Sequence, residues 1–251
     1  MPDVSLCIPV HNSAPFLDEL FGCLRHLDPP PAEIVFLDDA SNDDSATRVE
    51  RFIAETRAGP PMRLLRNERN MGIAAAYNRL AREARGDWVQ LLDADDLLVE
   101  RDFYASVRPE LRRNFDIVVT GLRSNSRLLD WCARSLSWMV PRRPPTWFPL
   151  LGSFATRAGV IYRRARLMSV AFPDPSWPGS DVIHLLQLRT TGACRFLARR
   201  HVFYRVHPDS SSSRQRDYSP YRCSLAQFNR PIRLVHAIDL WLRGIGQRWV
   251  R

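Results

Sequence analysis

The fold prediction starts from one stretch, Gly86-Asp-Trp-Val-Gln-Leu-Leu-Asp-Ala-Asp-Asp-Leu-Leu98. Its apolar run from Trp88 to Leu92 follows a glycine and is typical of a buried strand. The run ends in three carboxylates within four positions, Asp93, Asp95 and Asp96. Three like charges at one strand end repel one another and lose solvation, so they need a compensating cation. Oxygen-preferring divalent ions such as Mg²⁺ or Mn²⁺ fit this cluster, and the alternative is a solvated acidic turn that caps the next helix.

Strands alternate with helices of about a dozen residues around this stretch. The predicted strands are 4–10, 33–37, 62–66, 88–92 and 116–120, and the predicted helices are 15–27, 45–57, 70–84 and 100–112. In the less regular second half we expect strands at 155–162 and 195–204 and a short helix at 180–189. This alternation predicts an α/β fold with a mostly parallel sheet and right-handed crossovers.

Polar side chains follow three of the predicted strands. They are His11-Asn12, Asp38-Asp39 and the residues from Asp93 to Asp96. Sheets of this kind bind ligands beyond the carboxyl ends of their strands, so the three groups predict one ligand site. A dinucleotide-dependent dehydrogenase is disfavoured, because Pro9-Val10-His11-Asn12 stands where its glycine-rich fingerprint should be.

The length and composition suit one large domain with an appendage. The chain has 251 residues, of which 45% are hydrophobic, and it has no apolar run long enough to span a bilayer. Its start lacks the basic and apolar regions of a secretory signal, so we expect a cytoplasmic protein. Five widely spaced cysteines without a Cys-x-x-Cys motif favour reduced thiols.

The charge of the chain is strongly segregated. Residues 1–100 carry 10 arginines against 18 acidic residues, whereas residues 101–251 carry 26 arginines against 9, and there is no lysine. The basic half predicts a polyanionic partner, which can be nucleic acid, anionic lipid or a phosphate-bearing substrate.

The last 22 residues, 230–251, have helical apolar spacing bordered by arginines and by Trp241 and Trp249. Such helices lie in membrane interfaces, which predicts peripheral attachment to the inner face of the cytoplasmic membrane. Packing on the protein's own core or on a dimer partner is the alternative, and Gly244 and Gly246 weaken the last turns.

Four segments, taken in order, resemble glycosyltransferase family 2, the nucleotide-sugar transferases of GT-A fold. They are residues 4–12, residues 33–43, the Asn-x-Gly-x-x-x-Ala-x-Asn pattern of residues 70–78, and the Asp-x-Asp pattern of residues 93–96. The resemblance implies a GT-A domain over 1–215, with a nucleotide-binding half at 1–120 and an acceptor-binding half at 121–215. A helical tail at 216–251 follows.

The resemblance also implies the site residues. Those expected to bind the nucleotide are Pro9, His11, Asn12, Asp38, Asp39, Asn70, Gly72 and Asp93. A divalent metal, Mn²⁺ or Mg²⁺, is expected on Asp95, Asp93 and His207, and Asp181 is expected to be the catalytic base. For each there is a local structural alternative, such as helix capping by Asp39 and Asn70 or an ordinary hydrogen bond for His207.

Two positions depart from the family pattern and one supports it. His11 stands where an aromatic tyrosine is usual, and Ser180 replaces the first acid of the pair that ends in Asp181. The segment Tyr204-Arg205-Val206-His207 is similar to the family's Tyr-Arg-x-His segment.

The implied activity is metal-dependent, inverting hexosyl transfer from a nucleotide-diphosphate sugar, UDP-sugar foremost, to a hydroxyl of a glycan or lipid-linked acceptor. This places the protein in bacterial cell-surface polysaccharide biosynthesis, with no nucleic-acid partner. A sugar nucleotidyltransferase is a second interpretation, although it expects a glycine-rich loop with Arg and Lys after the first strand. A third is a non-catalytic nucleic-acid or polyanion-binding protein, suggested by the pI of about 10.0.

Overall fold

A computed structural model describes residues 3–127, 130–131, 133–134, 157–172, 184, 187–188 and 192–208. Within these ranges the strands are β1 (Val4–Val10), β2 (Glu33–Asp38), β3 (Met62–Arg66), β4 (Trp88–Leu91), β5 (Leu97–Leu98), β6 (Ile117–Ser124), β7 (Val160–Arg163) and β8 (Cys194–Tyr204). The helices are α1 (Ala14–His26), α2 (Ser45–Glu55), α3 (Ile73–Glu83), α4 (Phe103–Leu111) and the short α5 (Arg164–Leu167). The predicted tail, 216–251, and its segment 230–251 lie outside the described residues.

The described strands form one sheet in the order β3-β2-β1-β4-β7-β6-β8-β5. Strands β1 to β4 pair in parallel, as do β6 and β8, which confirms the predicted α/β fold. Strand β7 runs antiparallel to both β4 and β6, and β5 runs antiparallel to β8. The sheet is therefore parallel in its first half and mixed in its second, because the chain returns to β4 from the opposite direction.

Side chains of the central strands alternate between two apolar layers, as the twofold period of a strand requires. Ile34 and Phe36 of β2 face the layer built with α1, α2 and α4, whereas Val35 and Leu37 face the layer built with α3. In the first layer the rings of Phe21 and Phe52 stack with centroids 4.1 Å apart. Each fully buried side chain of this size contributes about 1.5–3 kcal/mol to folding.

Helix α1 buries Leu17, Leu20, Phe21 and Leu24, whereas Phe16 is only half-buried. The Phe16 ring instead packs against His207, with centroids 4.7 Å apart. Helix α1 therefore contributes one aromatic side chain to the site at the carboxyl edge of the sheet.

Pro9 ends the pairing between β1 and β4. The amide of Leu92 donates to the carbonyl of Cys7 at 3.0 Å, so Cys7 and Pro9, two residues on, direct their backbone groups toward β4. Because Pro9 has no N–H to donate, pairing between β1 and β4 stops at Cys7 and Leu91, while β1 continues beside β2 to Val10. The strand order reverses at β1, and such a position is where open α/β sheets bind ligands.

A buried polar network lies at the opposite ends of the strands, where β1, β2 and β4 begin. The Ser5 hydroxyl donates to Glu33 at 2.7 Å and accepts from the Gly86 amide at 2.8 Å. A Cβ atom on Gly86 would lie 2.7 Å from the carbonyl oxygen of Asp3 and 2.9 Å from the amide of Ser5. Glycine is therefore required where β4 begins.

The described cysteines, Cys7, Cys23 and Cys194, form no disulfide with one another. Burial raises the pKa of the Cys7 thiol far above its usual range, so this side chain behaves as a core residue. None of the described helices has both the length and the apolar character needed to cross a bilayer.

Candidate functional site

The ends of β1 and β2 meet through His11. The ring Nδ1 of His11 lies 2.9 Å from the carbonyl oxygen of Asp39. Both strands leave the sheet through left-handed residues, Asn12 at φ 49° and Ala40 at φ 55°. His11 and Asn12 are exposed above a buried Asp39, so this part of the edge is open to a ligand.

The buried carboxylate of Asp39 organises the loop before α3. It accepts hydrogen bonds from Asn67 Nδ2 at 2.5 Å and from the backbone amides of Met71 and Gly72, both at 2.9 Å. A carboxylate offers about four acceptor positions, so three of them serve the loop and about one is left for a ligand. These contacts fix the Asp39 carboxylate to the loop before α3, so its side chain does not serve as a helix cap.

Asn70 joins this loop to β1. Its Oδ1 accepts from the Gly72 amide at 2.8 Å, and its Nδ2 lies 2.9 Å from His11 Nε2. Gly72 has φ 81°, a conformation that strains other residues. The structure brings His11, Asp39, Asn70 and Gly72 into contact with one another.

The remaining predicted nucleotide residues shape the turn after β2. Asp38 accepts from the amide of Ser41 at 3.3 Å, and Asn12 Oδ1 accepts from the amide of Asn42 at 2.8 Å. The Asn12 amide in turn donates to Ser41 Oγ at 3.0 Å. Pro9 is buried within β1, next to the point where the pairing with β4 ends.

The acidic cluster follows β4, the neighbour of β1. Each of Asp93, Asp95 and Asp96 offers a carboxylate oxygen, and these atoms lie within 4.8 Å of one another. Burial, and then the charge of Asp93, raise the pKa of the Asp95 carboxyl. The hydroxyl of Tyr77 on α3 donates to Asp93 Oδ1.

The segment after β8 supplies two basic side chains to this cluster. His207 Nε2 lies 3.0 Å from Asp95 Oδ2. The backbone amide of Arg205 donates to Asp96 Oδ1 at 3.2 Å, and its Nε donates to the carbonyl oxygen of Asp95 at 3.1 Å. The Arg205 guanidinium also pairs with Glu19 and lies over the Phe16 ring, with Cζ 5.5 Å from the centroid.

Sequence reasoning missed Arg205 and Tyr77 as members of the site. Both lie inside segments that were matched for other residues, Arg205 beside His207 and Tyr77 beside Asn78. Both residues therefore lie inside the matched motifs. Only the packing of β8 and α3 against the acidic turn shows their contacts with it.

The donor set fits a hard divalent cation. Carboxylate oxygens with one imidazole nitrogen nearby are ligands that Mg²⁺ and Mn²⁺ accept. Burial raises the pKa of the Asp95 carboxyl and the charge of Asp93 raises it further, so a cation between the two carboxylates would favour their charged forms. Asp95, Asp93 and His207 are the residues placed to hold it. The predicted base, Asp181, lies outside the described residues.

The eight-stranded sheet and the carboxylate cluster that follows β4 define an α/β protein of GT-A type. The family model for glycosyl transferase family 2 matches residues 5–167, more than half of the chain. The chain belongs to glycosyltransferase family 2.

Curated relatives share the first part of the chain. Undecaprenyl-phosphate 4-deoxy-4-formamido-L-arabinose transferase of Pseudomonas savastanoi is 40% identical over 96 residues, which are 37% of this chain and 28% of that protein. The chain spans less than half of the length of the curated relatives it matches.

Solved structures share the fold over nearly the whole chain. Staphylococcus aureus TarS in complex with UDP-GlcNAc has a TM-score of 0.70 at 19% identity, over 95% of this chain and 71% of that one. The mannosyltransferase PcManGT from Pyrobaculum calidifontis, in complex with GDP-Man and Mn²⁺, has a TM-score of 0.65 at 21% identity, over 99% of this chain and 73% of that one. At these identities the likeness is one of fold.

Proposed function

We propose that the protein transfers a hexosyl group from a nucleotide-diphosphate sugar, with a UDP-sugar as the donor, to a hydroxyl of a glycan or lipid-linked acceptor. The observation that carries the proposal is the position of two groups at the ends of the neighbouring strands β1 and β4. One group is the exposed His11–Asn70 pair above Asp39, and the other is the cluster Asp93, Asp95 and Asp96. Family membership and the UDP and GDP sugars bound by structural neighbours support it.

The nucleotide base and ribose lie over the ends of β1 and β2. Asp39 uses its remaining acceptor position for a base N–H, and His11 and Pro9 line the pocket. Asn12 and Asp38 hold the neighbouring turn in shape. Asp93, beside Tyr77, contacts the ribose.

The diphosphate lies between α3 and the acidic cluster. Gly72 and Met71 direct their amides to Asp39, so Asn70 and Gly72 act by fixing the loop at the start of the helix, where the helix dipole favours negative charge. Asp95, Asp93 and His207 would hold a divalent metal, which would supply positive charge to the departing diphosphate. Arg205 fixes the position of the acidic turn relative to the end of β8.

Asp181 takes the proton from the attacking acceptor hydroxyl, and direct attack inverts the configuration at the anomeric carbon. The domain division places the nucleotide in residues 1–120 and the acceptor in residues 121–215. The basic tail 216–251 contacts the membrane surface on which a lipid-linked acceptor of the cell envelope would lie. The bacterial lipid-phosphate sugar transferase that resembles this chain supports an acceptor of that kind.

Isothermal titration with UDP, GDP and dTDP tests the proposal, in Mn²⁺, in Mg²⁺ and in EDTA, on the wild type and on Asp95→Ala. We expect metal-dependent binding of one nucleotide, with UDP binding most tightly, and loss of that binding in Asp95→Ala. Asp28→Ala is the matched control, because Asp28 is exposed and pairs with Arg101 away from the site. If no nucleotide binds under any metal condition, the transferase proposal fails.

A further inference from the structure

Asn78 on α3 binds the backbone of Phe172 as a neighbouring strand would. Its Nδ2 donates to the Phe172 carbonyl at 3.2 Å, and its Oδ1 accepts from the Phe172 amide at 2.9 Å. The two residues are 94 positions apart, so the pair of bonds fastens a distant segment to α3. One amide that satisfies both backbone groups of a residue fixes that residue in place.

Tyr77, the residue before Asn78, touches both the acidic cluster and Phe172. Its buried ring lies 5.1 Å from the Phe172 ring, centroid to centroid, and its hydroxyl donates to Asp93 Oδ1. The Asp93 carboxylate and Phe172 are therefore joined through a single rigid side chain.

Phe172 in turn stacks on His184. The ring centroids are 3.6 Å apart and the planes differ by 23°. His184 is fully buried, and its Nε2 lies 2.8 Å from the carbonyl oxygen of Val170, so Nε2 carries the proton. In the sequence His184 follows Asp181, the proposed base, by three positions.

We propose that Asn78 and Tyr77 are positioning residues for the transfer reaction. They hold Phe172 against α3, and Phe172 in turn holds His184. Asn78 fixes the Phe172 backbone, and Tyr77 links the Phe172 ring to Asp93. Ligand binding at Asp93 is thereby transmitted to the part of the chain that contains the proposed base. This role rests on the proposed function, whereas the anchoring contacts do not.

Hydrogen exchange of the whole protein tests the coupling, measured with and without UDP and Mn²⁺. In the wild type we expect UDP and Mn²⁺ to slow exchange in the peptide that contains His184. In Asn78→Ala the peptides that contain Phe172 and His184 exchange faster by about tenfold, because local opening costs less free energy. UDP binding, followed by titration, stays as in the wild type, yet UDP no longer protects the His184 peptide.

Two further variants separate positioning from general stability. Asn78→Asp keeps the acceptor for the Phe172 amide and loses the donor, so it recovers part of the protection lost in Asn78→Ala. Tyr77→Phe removes the hydroxyl bonded to Asp93 and abolishes the UDP-dependent protection. Its matched control is Tyr104→Phe, which removes a buried hydroxyl that donates to Gln90 at 2.8 Å, and it leaves that protection intact.

Three results would overturn the proposal. The first is a His184 peptide that is equally protected in Asn78→Ala and in the wild type. The second is an equal effect of Tyr77→Phe and Tyr104→Phe, since that would indicate general destabilisation. The third is a wild type that binds no UDP: the proposed function then fails, and the role in transfer fails with it. Faster exchange in ligand-free Asn78→Ala would in that case show that Asn78 is a structural anchor alone.

Discussion

Asn70 Nδ2 lies 2.9 Å from His11 Nε2, and this contact fixes the proton on the His11 ring. The Asn70 amide has one orientation that suits its surroundings, because its Oδ1 accepts from the Gly72 amide. Nδ2 is therefore the donor, His11 Nε2 accepts, and Nδ1 donates its proton to the Asp39 carbonyl oxygen. The His11 imidazole thus connects β1, β2 and the loop before α3 through two separate ring nitrogens, whereas a tyrosine phenol would have to meet both partners with one oxygen.

Asp39→Asn should weaken both the fold and nucleotide binding. Three donors point at the Asp39 carboxylate, and an amide has only one oxygen, so at least one donor would face an NH₂ group. We expect a loss of about 1–3 kcal/mol in the free energy of unfolding. Chemical denaturation and UDP titration measure the two effects. Asp44→Asn, at an exposed position, is the control, and a variant of Asp39 with wild-type stability would contradict the account.

His207→Ala should lower the affinity for Mn²⁺. His207 contacts Asp95 at 3.0 Å, and removal of the hydrogen-bonding partner of a metal ligand costs about 10–100-fold in affinity. Competition titration with a fluorescent Mn²⁺ indicator gives the affinity directly. His26→Ala serves for comparison, because His26 is exposed at the end of α1. Equal Mn²⁺ affinities of the two variants would remove His207 from the proposed metal site.

Gly86→Ala should destabilise the protein, whereas Gly22→Ala should not. The added methyl at Gly86 meets backbone atoms at 2.7 and 2.9 Å, and forced overpacking of this kind costs about 1–3 kcal/mol. Gly22 lies inside α1 with nothing within 4 Å of its added methyl, so alanine there stabilises by about 0.5–1 kcal/mol. Thermal denaturation of both variants checks the opposite signs. A similar shift of the melting temperature in both variants would show that the backbone around Ser5 moves to accommodate the added methyl group.

Stability should fall between pH 6.5 and 4 because of His201. Burial, and then the nearby Arg199 charge, lower the pKa of His201 from 6.5 to about 4. Above pH 6.5 the ring is neutral in both the folded and the unfolded chain. As the pH falls through this range the unfolded chain binds a proton that the folded protein does not, so stability is lost.

His201→Phe isolates this contribution, since phenylalanine cannot titrate and keeps the edge-to-face contact with Phe103. Urea denaturation at pH 7 and pH 5 should show a larger loss in the wild type than in the variant. The same loss in both proteins would assign the pH effect to other groups.

The first half of the fold could be predicted from sequence because its signals are local. Apolar runs of strand length, glycine breaks and amphipathic helices recur in order, and β1, for example, has the bounds that were expected. The placement of β7 between β4 and β6 could not be predicted, since it depends on pairing between residues some seventy positions apart rather than on any local pattern. The two-residue β5 is too short to show a period.

The candidate site divides in the same way. Asp39, Asn70, Asp93 and Asp95 could be found from motifs, because each follows a strand or opens a helix. Three acceptor positions of Asp39 are occupied by donors of the loop before α3. This could not be predicted, because hydrogen-bond partners depend on side-chain directions. Arg205 was missed for a related reason, because its segment was matched for His207 and only its contacts with Asp95 and Asp96 distinguish it.

The proline in β1 has a consequence for how this scaffold can change over evolutionary time. A strand that still has free amide donors can extend its pairing when neighbouring side chains change. Along β1 the pairing with β4 ends where Pro9 lacks an amide proton, which is a covalent property of one residue. Side chains around the ends of β1 and β4 can therefore diversify to recognise new substrates without lengthening this pairing, and Pro9 is the position at which that freedom would be lost.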